Sequence, residues 1–213
     1  MLNHHYRHRT KQQPQCARLL PNPDLSPNLL HLKVKLASID RSRDGDQVEA
    51  VVAILLWDEP GRGLQTLLVQ RAEREGDPWS GQIGLPGGRV KQGAETPRTA
   101  LHREVDEEVG IKLEEVGVEL GSLSVGHPMR RLEMRVQPWV YGLRIKPSVS
   151  IGSEIASSLW ANLAELSSKK KMSEITVRDK PWSVESFVVE GKIVWGFTYR
   201  VLTELLPILE ASL

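Results

Sequence analysis

The sequence contains a single cysteine, Cys16, so no disulfide can form within the chain. A reducing compartment fits, and the expected location is cytoplasmic. Cys16 lies in a Pro- and Gln-rich stretch with nothing beside it that would activate a thiolate. Long apolar runs are also missing. The longest, Val51–Trp57, falls far short of the roughly 20 residues of a bilayer-spanning helix, so no membrane partner is expected. The N-terminus lacks the apolar stretch of a secretory signal. Nor does charge of one sign dominate: 28 Lys and Arg face 27 Asp and Glu, for a net charge of +1. That balance gives no whole-chain case for binding nucleic acid, and no basic strip interleaved with aromatics offers itself to RNA.

What is present is an ordinary globular composition, 213 residues with 40% hydrophobic and 26% charged side chains. Residues 1–28 carry His4, His5, Arg7, His8, Arg9 and Lys11, with no acidic residue before Asp24. This stretch reads as a disordered basic tail, ahead of a transit peptide or an irregular His-rich metal site. Residues 29–213 read as one domain. Leu29–Ile39 suits a helix or a strand, and Asp44-Gly45 marks a turn. The β-branched run Val48–Trp57 and the run Leu64–Gln70 predict a hairpin across a glycine-rich turn. Asp77–Gly88 reads as a loop, and Thr96–Val109 as a helix with Leu101, Val105 and Val109 on one stripe and Gly110 as its stop. Further on, Val116–Val125 and Arg135–Leu143 predict strands, and Ser157–Leu166 predicts a helix. Lys169–Lys171 reads as a solvated loop, Ser183–Val189 and Ile193–Gly196 as a hairpin, and Thr198–Leu209 as a closing amphipathic helix. The mixture predicts an α/β or α+β fold.

The chemistry concentrates in residues 81–111. Glu104, Glu107 and Glu108 are spaced i, i+3, i+4 and share one side of the helix. Two like charges at about 4 Å repel by up to about 4 kcal/mol at an effective dielectric of about 20, and Arg103 relieves only part of this. A hard divalent cation would remove the conflict. Upstream, Leu85-Pro86-Gly87-Gly88 allows backbone atoms to approach an ion or a phosphate closely.

These residues resemble the Nudix hydrolase family, whose motif is G-x5-E-x7-R-E-U-x-E-E-x-G-U with U aliphatic. Glu95, seven residues, and then Arg103-Glu104-Val105-Asp106-Glu107-Glu108-Val109-Gly110-Ile111 match it throughout. Six residues rather than five separate Gly88 from Glu95, in a loop where length is tolerated. The resemblance implies a Nudix α/β/α sandwich with a mixed central sheet. It implies Mg²⁺ or Mn²⁺ held by Glu104, Glu107, Glu108 and the carbonyl of Gly87, with Glu95 as supporting carboxylate or extra ligand and Arg103 orienting the glutamates. The implied reaction is hydrolysis of the pyrophosphate bond of a nucleoside diphosphate joined to another group. Glu107, Glu108 or Glu154 is the candidate base, Glu154 being equally readable as a charge at a helix N-terminus.

Three further segments resemble the coenzyme A diphosphatase branch: Leu67–Arg71 followed by Gly81–Gly88, Val136–Val140 followed by Glu154-Ile155-Ala156, and Val194–Leu202. Coenzyme A would yield 3′,5′-ADP and 4′-phosphopantetheine. Against that branch, Ala72 stands for Ser and Leu85 for Phe, no Arg precedes Gly81, and the Arg71-to-Gly81 spacing is one residue longer. ADP-ribose, dinucleotide polyphosphates and nucleoside triphosphates are alternative substrates, and a catalytically silent nucleotide-binding module is the non-enzymatic alternative. Arg71, Trp79 and Gly88 are the expected substrate contacts, with Arg74, Trp139, His127 and Met129–Arg131 further candidates; Trp160, Trp182 and Trp195 read as packing. By analogy with relatives, a homodimer is expected.

Overall fold

In the computed structural model, residues 24–39, 48–77, 79–129, 131–177 and 180–210 are described. The basic tail up to residue 23, Cys16 and the Asp44-Gly45 turn lie outside them. The first element among the described residues is helix α1 (Pro27–Ala37), which settles the ambiguous segment Leu29–Ile39 as helical. Strands β1 (Ala50–Glu59) and β2 (Gly63–Arg71) form the expected antiparallel hairpin. Two short strands, β3 (Ile83–Gly84) and β4 (Gly87–Arg89), interrupt the predicted loop. Helix α2 (Pro97–Val109), the short helix α3 (Leu113–Val116), β5 (Gly117–Ser122) and β6 (Val136–Leu143) follow. Then come β7 (Ile155–Asn162), the single turn α4 (Leu163–Leu166), β8 (Lys170–Val177), β9 (Lys180–Val189), β10 (Lys192–Trp195) and helix α5 (Gly196–Glu210).

The main sheet runs β3-β2-β1-β6-β5, with β4 paired to β1 and β7 to β2. β1 and β6 are parallel and the other pairings are antiparallel, so the sheet is mixed. Strand periodicity gives β1 two apolar faces. Val51, Ala53 and Leu55 pack with Ala100, Leu101, Val105 and Val109 of α2. Ile54 and Leu56 pack with Leu29, Leu32 and Leu36 of α1 and Leu202 and Leu205 of α5. The sheet therefore lies between helices on both faces, an α/β/α sandwich. A second, three-stranded sheet, β10-β9-β8, extends from it.

Three sequence expectations are corrected. Ser157–Leu166 is strand followed by one helical turn: residues 157–162 pair with β2 in antiparallel register, and Leu159, Ala161 and Leu163 are buried at the two-residue period of a strand. Lys170 and Lys171 open strand β8 rather than sitting in a loop, although both remain exposed. Trp182, read as packing, is exposed on β9.

Helix α2 has defined ends. The Thr96 side chain accepts a hydrogen bond from the Thr99 amide at 3.1 Å, Pro97 occupies the first turn, and Gly110 closes the helix in the left-handed conformation at φ 67°. Thr96→Ala is expected to lower stability by about 1 kcal/mol in chemical denaturation while leaving the denaturant dependence unchanged. An unshifted midpoint would show that the cap contributes nothing.

Candidate active site

Once α2 is packed through Leu101, Val105 and Val109, its opposite side presents Arg103, Glu104 and Glu107 to one cavity, with Glu108 at the inner edge. The cavity measures about 720 Å³, within the size of small-molecule sites. Arg103 is its hub. Its Nε and Nη2 donate to the two oxygens of Glu95 at 3.0 and 2.8 Å. Its Nη1 donates to Glu104 at 2.8 Å and Glu107 at 3.0 Å, and Nη2 also reaches the Arg89 carbonyl at 3.2 Å. One delocalised cation thus answers three carboxylates. Glu95 accepts a further bond from the Lys91 amide at 2.9 Å, and this partner set holds its carboxyl down at about 2, the Arg103 hydrogen bonds acting most strongly. The additional loop residue does not displace Glu95. It is taken up in a turn in which the Ala94 and Glu95 amides both donate to the Lys91 carbonyl, at 3.0 and 3.2 Å.

The glycines are there for lack of room. Gly87 has φ 149°, and a β-carbon on it would collide with the Val51 carbonyl of β1; one on Gly88 would collide with the Glu104 carboxylate. β4 can therefore lie against β1 and beneath α2 at once. The Gly87 amide donates to Glu108 at 2.9 Å. Glu108 is only 4% exposed, and its remaining support is Arg71 at 3.6 Å. Burial dominates and pushes its carboxyl up to about 7 from the ordinary 4.5.

Arg71, at the end of β2, meets Asp77 twice at 3.2 Å, Glu108 at 3.6 Å and Glu154 at 3.9 Å. Asp77, which no motif singles out, also accepts from the Trp79 amide at 2.9 Å and so fixes that loop. Trp79 lines the cavity and packs against Met134, with Arg131 5.8 Å from its ring centroid. Glu154 lies on the cavity rim, half exposed, paired with Arg74 at 3.2 Å. It precedes strand β7, so its reading as a helix N-terminal charge falls. Trp139 is not among the lining residues; it packs on the α2 face with Arg98 over its ring. Trp195, by contrast, reads from sequence as packing, in the core or at an edge, yet forms cavity wall together with Gly196, Phe197 and Thr198. The α5 end is tied to the facing loop by Arg200, which donates to the His127 carbonyl at 3.2 Å and lies over the Phe197 ring. Among the described residues no helix is long and apolar enough to cross a membrane.

The carboxylates offer hard oxygen donors of the kind Mg²⁺ and Mn²⁺ accept. Among the described residues no three of them converge on one point, because Arg103 engages Glu104 and Glu107 while the Gly87 amide engages Glu108. A buried Glu108 with so little positive charge beside it nonetheless fits a cation as partner.

In chelator, burial of charged Glu108 opposes folding by on the order of 3 kcal/mol above about pH 7. A raised carboxyl contributes stability that is complete below 4.5 and lost as pH rises through about 7. The metal-free protein should therefore melt at lower temperature at about pH 8 than at about pH 5, and Glu108→Gln should remove that part of the slope. Parallel pH profiles for the two proteins would contradict it.

A family model described as NUDIX domain matches residues 47–177. An uncharacterized protein of Schizosaccharomyces pombe is 33% identical over 106 residues, 47% of this chain; the match covers 32% of that longer protein. Among solved structures, the NUDIX domain of Shewanella oneidensis NrtR complexed with ADP ribose is 18% identical, covering 84% of this chain and 96% of that one at a TM-score of 0.48. A C. elegans Ap4A hydrolase binary complex is 21% identical, covering 55% of this chain and 81% of that one at a TM-score of 0.45.

Proposed function

The chain belongs to the Nudix family, and we propose that it is a metal-dependent pyrophosphohydrolase acting on a nucleoside diphosphate joined to a second group. The observation that carries this reading is the Arg103 cluster, in which one guanidinium holds Glu95, Glu104 and Glu107 on the wall of a cavity that also exposes the edge of Glu108. Glu104, Glu107, Glu108 and the Gly87 carbonyl would hold Mg²⁺ or Mn²⁺, with Glu95 in support through Arg103. The bound cation would neutralise charge on the phosphoryl oxygens and make the attacking water more acidic.

The chain's own residues supply the rest. Arg103 keeps like-charged side chains on one side of α2 and fixes their directions. Gly88 lines the cavity and, having no side chain, lets the Glu104 carboxylate lie against its backbone, so that a phosphoryl group held beside Glu104 also lies beside Gly88. Arg71 presents a guanidinium at the junction of Glu108, Asp77 and Glu154, where it can meet a diphosphate oxygen. Trp79 offers its face to a nucleobase. Of the lining carboxylates, Glu104 and Glu107 are engaged by Arg103, Glu108 by the Gly87 amide, and Asp77 by Trp79 and Arg71. Glu154 is half exposed and, among the described residues, its carboxylate is restrained by the side chains of Arg71 and Arg74 alone, which leaves it able to turn to a water and take its proton.

Among substrates of this class, the resemblance in residues 67–71, 81–88 and 194–202 favours coenzyme A. The test is a panel of coenzyme A, ADP-ribose, NADH, diadenosine polyphosphates and nucleoside triphosphates with Mg²⁺ or Mn²⁺, products being identified by mass. Expected are metal-dependent cleavage, loss of activity in Glu107→Gln, and a fall in kcat of about 10²–10⁴ in Glu154→Gln with little change in KM. Cleavage of a different panel member would retain the mechanism and discard coenzyme A. No turnover by the folded protein with either metal would favour the silent nucleotide-binding module.

A further inference from the structure

The cavity has a second polar end that the hydrolytic chemistry leaves unused. Trp195, Gly196, Phe197 and Thr198 all line it, so the N-terminus of the 15-residue helix α5 opens onto it. The first amides of a helix have no acceptor within it and carry the positive end of its dipole. Thr198 adds an independent observation. It is 7% exposed, lines the cavity, and its hydroxyl has no hydrogen-bond partner among the described residues. The unpartnered hydroxyls of Thr66 and Thr203 are sealed in the interior, whereas that of Thr198 faces Gly84, 4.0 Å from where a β-carbon on that glycine would sit. The Thr198 hydroxyl is not sealed like these but opens on the cavity, where an arriving group can accept its hydrogen bond. Gly84, beside Thr198, lies three residues before Gly87 in the chain, so the Cα atoms of the two glycines are at most about 11 Å apart.

We propose that the amide end of α5 and the Thr198 hydroxyl form an anion subsite for a second phosphoryl group of the substrate, separate from the bond cut beside α2. The proposal rests on the hydrolase reading for its place in catalysis but not for its chemistry. Helix-terminal amides and a hydroxyl are donors that match phosphoryl oxygens. Gly84 brings no side chain against the Thr198 hydroxyl, where a β-carbon would stand 4.0 Å away, and so keeps the cavity-side approach to that hydroxyl clear. The subsite selects nucleoside diphosphate conjugates that carry another phosphate a few bonds from the diphosphate, over those ending in a neutral sugar.

The test uses the whole chain, in chelator, titrated with inorganic phosphate and followed by amide chemical shifts. Saturable shifts at the Phe197 and Thr198 amides are expected. Thr198→Val should weaken binding about tenfold, the loss of one hydrogen bond to a charged group, while Thr198→Ser retains it. Shifts confined to residues around Arg71, Arg89 and Lys91, or equal affinity in Thr198→Val, would overturn the subsite. Because no turnover is read, phosphate binding at α5 without hydrolysis of any panel substrate would leave the subsite standing and count against the hydrolase alone.

Discussion

The site depends on how one guanidinium is shared. Arg103 binds Glu95 through two parallel hydrogen bonds and uses a third nitrogen for Glu104 and Glu107. Without it, the acidic side of α2 would scatter into solvent, and the loop carrying Glu95 would lose its connection to the helix. The planar fork matters as much as the charge. A lysine could neutralise one carboxylate but could not span the loop and two turns of helix together. The glycines of β4 belong to the same constraint, since Gly87 lets the backbone lie against β1 and Gly88 leaves the Glu104 carboxylate where Arg103 holds it.

The sheet places this cluster where a ligand can reach it. Helix α2 covers one face of β1 and helix α5 covers the other, yet both contribute to one cavity because it lies beyond the beginning of β1, at Ala50–Val52. The parallel neighbour β6 holds that strand in register from Ala50 onward. Elements far apart in sequence, residues 71–91, 103–108 and 195–198, thus meet around one volume.

Much of this was legible in the residues. The i, i+3, i+4 carboxylates, the Leu101–Val105–Val109 stripe and Gly110 located α2 and its acidic side, because helix geometry is local. The β1–β2 hairpin and α5 were legible for the same reason. What was hidden depends on distant pairing. Ser157–Leu166 carries apolar residues that suit either period, and only the free edge of β2 decides for strand. Asp77 looks like any loop acid until Arg71 and the Trp79 amide are seen to share it. Trp195 could not be separated from core tryptophans before the end of α5 was placed on the cavity wall.

The turn at Lys91–Ala94 bears on how such sites diverge. It takes up one residue beyond the motif's spacing while Glu95 still reaches Arg103 from its far side. The geometry therefore constrains an endpoint rather than a path, since the turn absorbs the added residue and the Glu95–Arg103 bond is still made. Counting residues between Gly88 and Glu95 would score this chain as a misfit. A comparison that asked which acid meets the arginine would place it correctly, and the same criterion would group distant sequences whose alignments break at this point.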